Sequence, residues 1–121
     1  MNNALYQYVH NNRVTVSVNP PQITNLMSMY GLYQVLAERE GLQGICPIPR
    51  SKVGIQLDKR PAGTLLNKGM IEVASTIGTY RLTRAGVGEC VVLEESGYAI
   101  PPTWSPDRLR PLFDNEVNDD Q

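Results

Sequence analysis

Seven of the eleven Lys and Arg side chains fall between positions 50 and 84 (Arg50, Lys52, Lys59, Arg60, Lys68, Arg81 and Arg84), where the acids are only Asp58 and Glu72. The rest of the 121 residues carries four basic and ten acidic side chains, so a net charge of −1 conceals a cationic middle third. Cations at this density can neutralise a polyanion, and the chemistry they offer is contact with phosphate. Thr64 and Asn67 lie in the same stretch. The hydroxyl can touch a phosphate or a thymine methyl, the carboxamide can pair with an adenine edge, and Arg60 can reach phosphate or guanine.

Groups for bond-making chemistry are sparse. There is one His, and no H-x-E, C-x-x-C, phosphate-loop or G-x-S-x-G pattern, so neither catalysis nor a cofactor is expected. Cys46 and Cys90 stand 44 positions apart, too few and too scattered for a zinc site, and are read as reduced, partly buried thiols. The acid pairs Glu38 with Glu40 and Glu94 with Glu95 read as solvated helix ends, so no metal is expected. An apolar fraction of 41% and a charged fraction of 19% fit an ordinary globular protein. No apolar run approaches the roughly 18 residues of a membrane span, and the start of the chain lacks a secretory pattern. A cytoplasmic protein with no membrane partner is the expectation.

The elements that must position the cations follow from periodicity. Residues 22–40 carry Ile23, Leu26, Met27, Tyr30, Tyr33, Leu36 and Ala37 at steps of three and four, which predicts the core helix. Met29 and Leu32 lie off that stripe, so the helix needs covers on two sides, from the C-terminal tail or from a second subunit. Gly31 permits close approach by another element, either within the chain or across a homodimer. Val14, Val16 and Val18 alternate with polar residues and predict a strand over 13–18, pairing with a later hairpin or with its twin in a dimer.

Ser51 reads as the cap of a second helix over 52–59, weakened by Gly54 and Ile55, and Pro61 as the opening of a third over 61–68, stopped by Gly69. From Met70 the period becomes two. Ile71, Val73 and Ser75 share one face, Ile77-Gly78-Thr79 turns the chain, Tyr80 and Leu82 return it, and Thr83 caps a helix over 84–95. The strings Leu66-Asn67-Lys68-Gly69-Met70-Ile71 and Tyr80-Arg81-Leu82-Thr83-Arg84-Ala85-Gly86 resemble the recognition-helix end and wing of winged-helix regulators of the MarR and PadR types. This resemblance, over roughly a quarter of the chain, implies an α+β winged helix-turn-helix fold: a three-helix core with a small antiparallel sheet. In that geometry 61–68 enters the major groove of double-stranded DNA. The expected DNA-binding set is Arg50, Lys52, Lys59, Arg60, Thr64, Asn67, Lys68, Arg81 and Arg84. Ile77 would sit exposed at a wing tip without Lys or Arg.

The expected domain covers 1–97. Over 98–121 the composition turns Pro-rich and then acidic, which predicts an irregular tail. Trp104, Leu109, Leu112 and Phe113 are its apolar residues, and it acts either as a strap on the body or as a partner-binding peptide through Trp104 and Phe113. Two functions remain open on this reading: a small DNA-binding regulator of phage, plasmid or bacterial type, and a protein-interaction module that does not read DNA.

Overall fold

The computed structural model describes residues 18–44 and 46–119. Helix α1 (Pro20–Arg39) leads to a two-residue strand β1 (Ile55–Gln56), helix α2 (Lys59–Asn67) and the hairpin strands β2 (Ile71–Val73) and β3 (Thr79–Leu82). Helix α3 (Arg84–Glu95), a 3-10 turn (Pro102–Trp104) and helix α4 (Pro106–Asp119) complete the chain. The strands form one antiparallel sheet in the order β1-β3-β2, so the molecule is of the α+β class. The strand expected over 13–18 falls, save for Val18, outside the described residues.

Local chemistry sets the helix ends. The Asn19 side chain accepts from the Gln22 amide at 3.0 Å, and the Gln22 side chain accepts from the Asn19 amide at 3.1 Å. This reciprocal box, with Pro20 and Pro21 in the first turn, starts α1. At the other end Gly41, at φ 64°, lets the Leu42 amide reach the Ala37 carbonyl at 3.0 Å. The same closure recurs at Gly69, with Met70 bonding Leu65, and at Gly97, with Tyr98 bonding Leu93. Thr83 caps α3 as expected, accepting from the Gly86 amide at 3.1 Å, while its hydroxyl donates to the Gly69 carbonyl at 2.6 Å.

Helix α1 lies at the centre of the core. It packs against β3, α2, α3, the 3-10 turn and α4, and Leu26, Met27 and Val35 are fully buried together with Leu65 of α2 and Cys90 of α3. Each such side chain contributes about 1.5–3 kcal/mol on transfer from water. Both cysteines are free and buried.

Two sequence expectations are corrected. The helix expected over 52–59 is not formed, and Ser51 caps nothing: residues 52–58 lie outside any helix and contain β1, and Lys59 already opens α2. Ile55 pairs with Tyr80, the Leu57 amide donates to the Gly78 carbonyl at 3.4 Å, and the Ser75 amide donates to the Lys52 carbonyl at 2.9 Å. Those tertiary bonds outcompete a helix that Gly54 and β-branched Val53 and Ile55 support poorly. Consequently one helix, not two, lies between α1 and the hairpin, and it begins at Lys59 rather than Pro61.

The tail is not irregular. Pro102 opens the 3-10 turn and Pro106 takes the first position of α4, where the missing N–H costs nothing. Ser105 precedes it and accepts from the Arg108 amide at 3.3 Å. Only Pro111 lies inside the helix.

This segment is the second cover of α1. Leu109 is 6% exposed, Trp104, Ile100 and Phe113 pack on the core, and the Phe113 ring lies 5.1 Å beneath the Arg39 guanidinium. Rim ion pairs join Arg110 to Glu38 at 2.9 Å and Arg39 to Asp114 at 3.6 Å, exposed contacts that water and salt screen. Gly31 faces the carbonyl of Trp104, where any Cβ would collide with the backbone, and Ile100 stands beside it. Its close approach is therefore internal, and that point of α1 is closed to a second subunit. Gly31→Ala should cost about 1–3 kcal/mol by forcing the strap outward. Urea unfolding followed by emission of the single Trp measures it; an unchanged midpoint would contradict the contact.

Candidate nucleic-acid interface

Helix α2 is amphipathic over two and a half turns. Ala62 and Leu65 are fully buried and Leu66 packs on the core, which leaves Lys59, Arg60 and Asn67 on the solvent face and Thr64 half-buried between them. Arg60, Thr64 and Asn67 follow one another at steps of four and three, so they form a single stripe. Thr64 Oγ1 donates to the Arg60 carbonyl at 3.3 Å. Lys59 and Arg60 occupy the first turn and form no ion pair among the described residues. They add side-chain charge to the positive end of the helix dipole, a combination that favours anions.

The other cations of the predicted set divide by environment. Arg50 and Lys52 are exposed on the loop before β1. Glu40 clamps that loop: its two carboxylate oxygens accept from the Arg50 amide at 2.7 Å and the Ser51 amide at 3.0 Å. The Ser51 amide above all, with Arg50 next, holds the Glu40 carboxyl below the usual carboxylate range. Lys68 is half-buried, with Nζ 3.4 Å from Gln22 Oε1. Arg84 opens α3 on the surface, and its charge acts on Cys46 and Tyr33.

Arg81 turns inward. Its side chain is 19% exposed, and Nε meets Glu72 Oε1 at 2.7 Å across the β2–β3 pair. Nη1 donates to the carbonyls of Pro49 at 3.0 Å and Ser51 at 2.9 Å. The phosphate role that sequence position suggested for Arg81 is thus displaced by an internal one, bolting the loop that carries Arg50 and Lys52 onto the sheet. Of the predicted set, the exposed cations are Arg50, Lys52, Lys59, Arg60 and Arg84, with Asn67 at the end of the α2 stripe.

At the hairpin tip Ile77 is 99% exposed and flanked by exposed Ser75 and Thr76. The half-open pocket lined by Tyr33, Pro49, Ser51 and Arg81 is about 20 Å³, room for one water rather than a ligand. Burial raises the Tyr30 hydroxyl to about 12 and pushes the Tyr33 hydroxyl, which donates to the Pro47 carbonyl at 2.9 Å, higher still. Burial likewise raises both thiols. No group of three or more His, Cys, Asp or Glu among the described residues could hold a metal ion, and no described helix is long and apolar enough to cross a membrane. Comparison with protein-family models, with curated proteins and with solved structures found no match to this chain.

One signal for β1 was present in the sequence: Val53, Ile55 and Leu57 alternate with Lys52, Gly54 and Gln56 at the period of a strand. Nothing local marked Arg81 as internal, because its partners lie nine to thirty-two positions away.

Arg81→Ala should destabilise the fold by about 2–3 kcal/mol, since it strips a carboxylate and two carbonyls of a charged donor. Chemical denaturation reads this; a cost near zero would mean the guanidinium is dispensable. The Glu40 carboxyl, lowered in the folded state, contributes stability above its ordinary value of 4.5, and that contribution is lost as pH falls through the lower folded-state value. Glu40→Gln should therefore flatten the acid limb of the stability profile below pH 4.5. Thermal melts over that range check the difference between the two proteins.

Proposed function

We propose that this chain is a small duplex-DNA-binding protein of winged-helix type, in which α2 carries the DNA-facing surface. The observation that carries the reading is the solvent face of α2: Lys59 and Arg60 in its first turn, without ion-pair partners among the described residues, followed by Thr64 and Asn67 on one stripe. Arg50, exposed on the clamped loop, and Arg84, at the start of α3, belong to the same expected set. The run of helix, strand, helix, hairpin and capped helix supports the winged-helix likeness, with β1 in the place of the early strand that pairs with the wing hairpin. The protein departs from that pattern by lacking the first helix of the helix-turn-helix pair.

That departure shapes the reading. A nine-residue helix with Ala62 and Gly63 between its cations offers few long side chains for base edges. Binding would rest on phosphate contacts and vary little with sequence. A regulator of phage, plasmid or bacterial type, acting as a monomer or a homodimer in the cytoplasm, fits this behaviour.

The test is fluorescence anisotropy with random-sequence duplex at two salt concentrations. Lys59→Glu/Arg60→Glu should weaken binding at least about tenfold near 50 mM salt and lower the salt slope by about 2, while leaving the melting temperature in place. Equal affinity of the variant and the parent protein would overturn the proposal.

A further inference from the structure

The tip of the β2–β3 hairpin holds an apolar side chain from which folding gains nothing: Ile77 is 99% exposed. Its backbone is nonetheless well defined. Residues 76–79 form a tight turn, closed by the Thr79 amide on the Thr76 carbonyl at 3.0 Å and by Thr79 Oγ1 on the same oxygen at 2.5 Å. Gly78, at φ 82°, takes the third position, where a type II turn needs a left-handed residue, and Ile77 takes the second.

The tip is braced against the chain that leads into α2. The Ser75 amide donates to the Lys52 carbonyl at 2.9 Å, and the Gly78 carbonyl accepts from the Leu57 amide at 3.4 Å. Leu57 is followed by Asp58, the N-cap position of α2, and then by Lys59 and Arg60. Two residues of chain span at most about 7 Å, so the first turn of α2 begins beside the hairpin tip. The far end of α2 lies at the hairpin base, where the Met70 carbonyl accepts from the Thr83 amide at 3.1 Å. Two exposed cations and the exposed isoleucine therefore share one end of the sheet.

The surroundings of Ile77 limit what it can enter. Over 73–80 there is no charged side chain, and exposed Ser75 and Thr76 precede the isoleucine. Val73, the other exposed large apolar side chain of the hairpin, sits back on β2 opposite Tyr80. One aliphatic side chain at a tip buries too little area to hold a protein on a bilayer. It is the size of wedge that opens a single base step, and small hydroxyls beside it suit sugar and phosphate oxygens.

With α2 as a duplex-facing surface, we propose that Ile77 enters the adjacent minor groove and wedges one base step apart, a role that rests on that reading. Lys59 and Arg60 meet phosphates bordering the same groove. The wedge enters most readily at flexible pyrimidine–purine steps such as TA and is resisted by stiff A-tracts. The protein thus bends duplex DNA and prefers deformable sites, a modest selectivity that needs no long side chains on base edges.

The test uses the full chain and two duplexes of equal composition, one centred on TTTAAA and one on AAATTT, each also made with 2-aminopurine for the central adenine and with dyes at its ends. The parent protein should bind the TTTAAA duplex at least about threefold more tightly by anisotropy. At saturation it should raise 2-aminopurine emission and energy transfer between the duplex ends, the signs of unstacking and bending. Ile77→Ser should equalise the two affinities and abolish both signals, with the melting temperature and the salt slope unchanged, because the site is exposed and uncharged. Ile77→Phe should keep the signals. Lys59→Glu/Arg60→Glu should weaken binding to both duplexes alike and leave their ratio in place.

If the parent protein binds both duplexes equally without unstacking either, or if Ile77→Ser matches it, the wedge is overturned while the α2 surface stands. Binding to neither duplex overturns both. Capture of phosphatidylserine-rich vesicles by the parent protein but not by Ile77→Ser, with 2-aminopurine emission unchanged, would assign the tip to a membrane surface and overturn the wedge.

Discussion

A helix that is apolar around more than half its circumference cannot rest on one layer; it must be enclosed. Helix α1 meets this constraint with α3, α2 and the sheet to one side and the C-terminal strap to the other. The enclosure works only because Gly31 lets the Trp104 carbonyl approach the helix backbone, so that one missing Cβ admits the 3-10 turn and everything that follows it. Leu109 and Phe113 then stand beside Leu32 on the strap side, while Met29 looks toward Tyr80 and Leu82 of the sheet. The rim pairs of Arg110 and Arg39 orient α4, but exposed ion pairs of that kind supply direction more than energy.

The same economy governs the cationic middle third. Charges adjacent in sequence serve different ends once the sheet forms. Arg81 sits at a strand position facing the Pro49–Ser51 loop, and three acceptors converge on it, so its guanidinium becomes an internal fastener. Glu40 fastens the same loop from the other side. Between these two fasteners the loop is held extended, and Arg50 and Lys52 are displayed from a fixed base. Lys59 and Arg60 are displayed by a helix whose opposite face is sealed into the core. A rigid display of cations is what an electrostatic interface requires, since little ordering entropy is then spent on binding.

Sequence alone determined the features that depend on neighbours in the chain. The capping positions Thr83 and Gly69, the hairpin turn through Gly78 and a helix over most of 22–40 rest on interactions within a few residues and are found where capping and periodicity place them, although the fully buried Val35 of α1 lies off the predicted stripe. Tertiary structure alone decided the rest. The alternation of Val53, Ile55 and Leu57 competed with a weak helix pattern, and only pairing with β3 resolved it in favour of a strand. The prolines of the tail read as breakers until Pro102 and Pro106 are seen at the first positions of helical turns, with α1 as the surface that stabilises them. Whether an arginine meets solvent or a buried carbonyl depends on residues thirty positions away, and no local pattern encodes that distance.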